Sequence, residues 1–312
     1  MRHLVVCLNP SLQRTMVFAS FLQGEVNRSS TYRFDFSGKG VNTARVITQL
    51  GEKALHLTHL DPAHSDELLS MLAKDGIETV WTDSGSPMRT CTTIIDLSKG
   101  LTTELVEEAK SVSSHADHHI RRLFSEALQS SHTLIISGTR APGYSENLYV
   151  DMVKEAKEAG KLVILDLKGT DLIGALNHRV DLIKPNLSEF AATFMPEYTV
   201  REQVDATEIK EAVISCQKQL YEEHGTKSVL TRGAFSVWAY GEQGFGEFPV
   251  PAVKAVNTIG SGDTVTAALA VELGRGKSLF AAVKRAVACG SANASNLRPG
   301  SVVDEKTGKL LC

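Results

Sequence analysis

Asn257-Thr258-Ile259-Gly260-Ser261-Gly262-Asp263-Thr264 is the stretch on which the reading of this chain turns. Two glycines flank a serine, and an aspartate follows at once. Residues 265–273 are largely apolar and alanine-rich, the pattern of a buried helix. The octapeptide is therefore a glycine turn opening a helix, with a carboxylate in the first turn. Unpaired N–H groups and the positive end of the dipole make a helix start attractive to anions. Glycines let those N–H groups approach a ligand closely. An aspartate repels a phosphate that is merely bound. It fits where Asp263 takes a proton from an attacking hydroxyl while Gly260, Ser261 and Gly262 hold the charge on a transferring phosphoryl group. The plain alternative is a glycine loop capped by Asp263.

A second turn of the same kind stands near the N-terminus. Phe36-Ser37-Gly38-Lys39-Gly40-Val41-Asn42-Thr43-Ala44-Arg45 opens an apolar helix that runs to about Leu50 before the stop at Gly51. It lacks the G-x-x-x-x-G-K-[ST] spacing of a Walker A loop, and no third glycine makes it a dinucleotide fingerprint.

Together the two turns resemble the two signatures of the PfkB (ribokinase-like) sugar kinases. Further stretches match in order. Leu8-Asn9-Pro10-Ser11-Leu12 resembles the opening of the 1-phosphofructokinase and tagatose-6-phosphate kinase subgroup. Ile136-Ser137-Gly138-Thr139-Arg140-Ala141-Pro142-Gly143 is similar to its Gly-Ser-Leu-Pro-x-Gly segment, and Leu165-Asp166-Leu167-Lys168-Gly169 to its Asp-x-Ser-Gly turn. Lys184-Pro185-Asn186 with Glu189 matches a further signature. The resemblance covers nearly the whole chain.

The bulk numbers agree with such a protein. The chain has 312 residues, of which 42% are hydrophobic, enough for one large α/β domain or two smaller ones; the resemblance, running nearly its whole length, implies one. A net charge of −3 gives no reason to expect nucleic acid. No apolar run approaches the ~20 residues of a membrane span. The first residues, Met1-Arg2-His3-Leu4-Val5-Val6-Cys7, are broken too soon by Asn9-Pro10 for a signal peptide and read as a strand. Five dispersed cysteines (Cys7, Cys91, Cys216, Cys289, Cys312) without C-x-x-C spacing argue against a disulfide framework and for a reducing cytoplasm. Cys7 and Cys289 sit in apolar runs, as core residues do.

From residue 130 onward, strand and helix patterns alternate. Strands are expected at 133–137, 162–165, 181–183 and 228–230, with helices at 145–159 and 208–224, each helix stopped by a glycine. This alternation implies parallel strands with helices on both faces, and ligands beyond the carboxyl ends of the strands. Ser137, Asp166, Lys184 to Asn186 and Thr231-Arg232-Gly233 all lie just past a strand and so line one cleft. Residues of about 12–36 and 88–108 break the rhythm and read as alternating strands. The resemblance makes them a small β-sheet lid over the sugar, often shared in a homodimer, on a three-layer α/β/α core with a mostly parallel sheet.

The resemblance also implies roles. Asp263 is the catalytic base, and Gly260, Ser261 and Gly262 are the anion hole. Gly38, Asn42, Ser137 and Gln13 face the sugar, Arg89 its phosphate, and Lys39 either that phosphate or the transferred phosphoryl. Lys184 approaches the nucleotide phosphates. Thr231, Arg232 and Gly233 form a nucleotide loop, and Asn293 lines the adenine site. Asn186 and Glu189 are the Mg²⁺-associated pair, and their spacing equally makes a capping box. ATP and Mg²⁺ are the expected cofactors and a small sugar phosphate the expected partner. His115-Ala116-Asp117-His118-His119 reads as a solvated helix start rather than a metal site.

Some positions depart from the subgroup. Gln13 stands where an aspartate usually holds sugar hydroxyls, and Cys91 where the lid usually has asparagine. Arg140, Lys168 and Arg232 add positive charge near the cleft, which suits a phosphorylated substrate. The expected activity is ATP-dependent phosphorylation of a phosphorylated ketohexose, tagatose-6-phosphate or fructose-1-phosphate, to the bisphosphate. A kinase for an unphosphorylated sugar or nucleoside, and a non-catalytic sensor on the same fold, are the other readings.

Overall fold

The computed structural model describes residues 1–201 and 205–312. In chain order the first half contains β1 (Arg2–Cys7), β2 (Ser11–Phe18), β3 (Thr31–Ser37), α1 (Lys39–Gln49), β4 (Lys53–Leu60), α2 (Ser65–Lys74), β5 (Glu78–Asp83), β6 (Thr90–Asp96), β7 (Leu101–Val106) and α3 (Ser114–Gln129). The second half contains β8 (Thr133–Ser137), α4 (Leu148–Glu158), β9 (Leu162–Asp166), α5 (Gly169–Leu176), β10 (Leu182–Ile183), α6 (Leu187–Phe194), a 3-10 turn (Thr207–Ile209), α7 (Lys210–His224), β11 (Lys227–Arg232), β12 (Phe235–Gly241), β13 (Gly244–Phe248), α8 (Ser261–Gly274) and α9 (Leu279–Ala294).

Nine strands form one sheet in the order β13-β12-β11-β10-β9-β8-β1-β4-β5. From β5 to β11 every pairing is parallel; β12 and β13 are added antiparallel at the edge. The strand period of two sorts the core into two layers. Leu4, Val6, Leu55, Leu57, Leu134, Ile136, Val163, Leu165 and Ile183 pack against α3 to α7. Val5, Cys7, Ile135, Ile164, Leu182 and Val229 face the other way, onto α1, α2, α8 and α9. Helices therefore cover both faces, as the alternation after residue 130 requires. The same rhythm also holds before that point, in β1, α1, β4, α2 and β5.

A second sheet, β3-β2-β6-β7, forms the lid. Its register places Gln13 beside Cys91 and Asp35, on the face where Thr15 and Thr93 are also buried. Tyr32, Phe34, Leu101 and Leu105 are exposed on the opposite face. No helix among the described residues is long and apolar enough to cross a membrane.

The cysteines differ from expectation in one respect. Cys7, Cys91 and Cys216 are free, but Cys289 of α9 and Cys312 are placed as a disulfide across 23 residues. Sequence spacing carries no sign of this, because the tail folds back onto α9 only through tertiary packing.

Candidate active site

Ser137 and Asp166 are the last residues of neighbouring parallel strands and stand in register. Parity turns both toward the face covered by α1 and α8, away from Leu165 and Ile136. Ser137 Oγ donates to Asp166 Oδ2 at 3.2 Å, and Thr266 Oγ1 lies 3.5 Å from the same oxygen. Lys184, one residue beyond β10, follows the same parity and is buried with its Nζ 3.5 Å from Asp166 Oδ1. Lys39, at the start of α1, brings its Nζ within 3.5 Å of that oxygen and 3.1 Å of Glu189 Oε1. Two lysines thus share one buried carboxylate. Burial raises the Asp166 pKa, but Lys184, Lys39 and the Ser137 hydroxyl outweigh it and hold Asp166 below the usual aspartate range. Burial pulls Lys39 down, and the charges of Asp166, Glu189 and Asp263 push it up further, so it stays protonated.

The glycine turn is the N-terminus of α8. Gly260 is the N-cap at φ +81°, in the left-handed region, and makes no side-chain cap bond. A Cβ there would also lie 2.6 Å from the Gly300 nitrogen, so the close crossing of the 299–301 segment behind the turn requires glycine. Asp263 is not the cap. It lies in the first helical turn, buried, with Oδ2 accepting from Asn42 Nδ2 at 2.8 Å. The Lys184 ammonium lies 3.6 Å from where a Gly262 Cβ would be, so a full positive charge stands at the mouth of the turn. Asp263 is pushed up to about 6: burial is the main cause and the Asp166 charge adds to it, while Lys39, the Asn42 amide and Lys184 pull back. A carboxyl raised this far can exchange a proton near neutral pH.

Asn186 and Glu189 do form the capping box of α6. The Glu189 nitrogen donates to Asn186 Oδ1 at 2.7 Å, and the Asn186 nitrogen donates to Glu189 Oε2 at 3.0 Å. The other carboxylate oxygen of Glu189 points to Lys39. Among the described residues no three acidic, histidine or cysteine side chains gather as a metal cage. Asp166 and Glu189 still supply hard carboxylate oxygens at the cleft. That donor set fits a magnesium ion that keeps water and nucleotide ligands, and not a resident metal.

Other expected site residues sit elsewhere. Arg232 falls on the opposite parity from Asp166 and Lys184. Its guanidinium lies 3.8 Å over the Trp238 ring, in the other core layer, and pairs with Asp205 at 2.9 Å. Thr231 does reach the cleft side, bridging to Asn186, and Gly233 makes the tight turn into β12. Asn293, expected at the adenine site, is fully buried and engaged within the protein. Its amide donates to the Ile259 carbonyl at 2.9 Å and Ser261 Oγ at 3.0 Å, and accepts from the Ser301 nitrogen at 3.0 Å. It braces the glycine turn from behind. Arg140 is held by Asp171, so neither it nor Arg232 adds free charge to the cleft.

At the lid, Gln13 donates to Thr93 Oγ1 at 2.7 Å. Arg89 ties lid to core, donating to the carbonyls of Asn9 at 2.9 Å, Pro10 at 3.3 Å and Glu107 at 3.5 Å. Gly38 turns the chain from β3 into α1 as its N-cap. His119, in the histidine cluster, is half-buried and bonds Thr82 of β5 as well as Arg122. The sequence pattern assigns no chemical role to Asp166 or Arg45. Asp166 carries the signal of a polar residue ending an apolar strand.

A buried carboxylate at a glycine-led helix start, under the charge of one lysine that opens α1 and another just past β10, is the setting in which comparison with known proteins decides. The family model for the pfkB family carbohydrate kinases matches residues 6–305. This chain belongs to that family. A tagatose-6-phosphate kinase of Staphylococcus epidermidis is 27% identical over 313 residues, covering 98% of this chain and 96% of the relative. The tetrameric inhibited form of phosphofructokinase-2 from Escherichia coli superposes with a TM-score of 0.81 at 22% identity, over 94% of each chain. A Thermotoga maritima protein described as "Possible 1-phosphofructokinase" superposes with a TM-score of 0.83 at 20% identity, over 96% of this chain and 93% of its own. The pfkB fold is thus shared along essentially the whole chain.

Proposed function

We propose that this pfkB carbohydrate kinase transfers the γ-phosphoryl of Mg–ATP to a hydroxyl of a phosphorylated ketohexose, tagatose-6-phosphate or fructose-1-phosphate, giving a sugar bisphosphate. The carrying observation is Asp263, buried at the start of α8 and poised near pH 6 between Asn42 and two lysines. Asp263 takes the proton of the acceptor hydroxyl. The first-turn N–H groups of α8, with Lys184 and Lys39, balance the charge on the phosphoryl in flight. Asp166 holds both ammonium groups in place. Glu189 and Asp166 would be the carboxylates to hold a magnesium ion brought with the nucleotide, which would supply charge neutralisation at the phosphate oxygens.

The phosphorylated acceptor is supported by Arg89 at the hinge of the lid. Three of its N–H donors hold carbonyls. A guanidinium has five, which leaves about two for a phosphate. The name of the Staphylococcus epidermidis relative favours the same substrate class. Use of ATP suits the cytoplasm.

The test is a phosphoryl-transfer screen with Mg–ATP over sugars and sugar phosphates, on wild type and Asp263→Asn. Ketohexose phosphates should be the preferred acceptors, and the variant should lose about 10²–10⁴ in kcat while ATP binding holds within a few fold. Preference for an unphosphorylated sugar overturns the acceptor class. A variant retaining more than about a tenth of the wild-type kcat overturns the base.

A further inference from the structure

Asn42 has its amide between two groups of opposite demand. Its Nδ2 faces Asp263 Oδ2 at 2.8 Å. Its Oδ1 faces Nη1 of Arg45 at 3.0 Å and Ser37 Oγ at 3.3 Å. A guanidinium only donates and an ionised carboxylate only accepts, so the amide has one orientation that satisfies both ends. Arg45 itself is 1% exposed. Its Nε donates to Asp75 Oδ2 at 2.8 Å, Nη1 also to the Pro299 carbonyl at 3.0 Å, and Nη2 to the Phe36 carbonyl at 2.8 Å. Asp75, just past α2, is gripped from its other side by Arg298 at 2.7 and 2.8 Å, and Arg298 also reaches Asp35 of the lid at 2.9 Å. The guanidinium is therefore locked in place before any substrate arrives. A helix arginine this deeply buried is costly unless every donor is used.

We propose that Arg45 is a positioning residue for catalysis: by holding the Asn42 oxygen it presents the amide NH₂ to Oδ2 of Asp263, which leaves Oδ1 as the oxygen that receives the acceptor's proton. The inference rests on the kinase reading above. Without Arg45 only the Ser37 hydroxyl, at 3.3 Å and able to accept as well as donate, meets the Asn42 oxygen, so the amide can turn that oxygen toward the carboxylate. Asp263 then loses a hydrogen bond that favours its ionised form. The other charges facing Asp263 stay as they are: Asp166 from β9, Lys39 from α1 and Lys184 after β10. On the far side, Asp75 keeps Arg298 as its partner, so replacing Arg45 orphans no carboxylate.

The test compares kcat–pH profiles of wild type, Arg45→Met and Arg45→Lys, alongside their melting curves. For Arg45→Met the acidic limb should move up by roughly one to two pH units, the worth of one charge-assisted bond. On that limb kcat should fall about 10-fold or more, recovering at alkaline pH, with both KM values within a few fold. Arg45→Lys, which keeps a donor, should bring the limb part of the way back. A folded Arg45→Met whose acidic limb coincides with the wild type overturns the proposal, since a merely structural role lowers kcat at every pH. Should Arg45→Met fail to fold, the Asn42 side-chain NH₂ resonance in the wild-type protein decides, assigned by its loss in Asn42→Ser. It should titrate with Asp263, and an invariant resonance overturns the proposal. A wild-type protein that transfers no phosphoryl group to any acceptor sinks the kinase reading itself, and an Asp263→Asn enzyme with wild-type turnover sinks the base; an inactive Asp263→Asn beside an unmoved Arg45→Met profile sinks only the Arg45 inference.

Discussion

Asn293 shows how much of this site's precision lies behind the residues that face the cleft. Three hydrogen bonds from one buried amide join the glycine turn, the end of α9 and the returning segment at Ser301. Ile259 and Ser261 flank Gly260, so the amide sets where the N–H groups at the start of α8 point. Asn293→Ala removes all three bonds. It should lower kcat by roughly 10- to 100-fold, because a small displacement of the turn misplaces every donor at once. The ATP KM should barely change, since the side chain touches no open space. Steady-state kinetics with ATP varied check this. A raised ATP KM with normal kcat would return Asn293 to the adenine site. Some loss of stability, about 1–3 kcal/mol, accompanies the unpaired Ser301 N–H.

At the scale of elements, α6 puts one carboxylate to two uses. Glu189 Oε2 caps the helix while Oε1 meets Lys39. Glu189→Gln separates them, because glutamine also serves in a capping box but brings no charge to the cleft. The magnesium concentration for half-maximal rate should rise several-fold, roughly the effect of losing one charged partner, with little change in melting temperature. An unmoved magnesium titration would leave Glu189 as a cap alone. The same elements show what was legible in the sequence. The two glycine-led helix starts, the strands at 133–137 and 162–165, and the lid strands were readable because each carries its own local pattern: a turn residue, an apolar run, an alternation. Ser137, Asp166 and Lys184 follow from strand ends, and they do converge. Arg232 also follows a strand in the sequence, yet one residue of parity sends it to Trp238 on the other face. Asn293, Arg45 and the Cys289–Cys312 pair depend on segments that meet only in the folded chain, and no local pattern reports such meetings.

For the whole molecule, the central sheet that delivers the active-site residues also buries three histidines. His3 and His56 lie on β1 and β4, and His59 near the end of β4 bonds Tyr144 at 2.9 Å. Burial holds each near pKa 4 instead of 6.5, with the Arg89 charge adding to the effect at His59. His3 Nε2 and His56 Nε2 have no hydrogen-bond partner, so a proton there would meet no acceptor. The unfolded chain protonates these imidazoles as pH falls through 6.5, and the folded chain does so only near 4. Between those values the unfolded state binds more protons, so stability drops as pH falls. Asp263 acts the other way. Its folded pKa of about 6 lies above the ordinary 3.8, so the folded state holds the extra proton in that window and gains as pH falls. Three groups oppose one. A tenfold difference in proton affinity between the two states is worth about 1.4 kcal/mol, so the net loss from pH 7 to pH 5 should be roughly 4 kcal/mol. Urea titrations across that range should show the midpoint falling steadily while the slope stays constant. A midpoint that is flat or rises on acidification would mean that these histidines take up protons without unfolding the sheet around them.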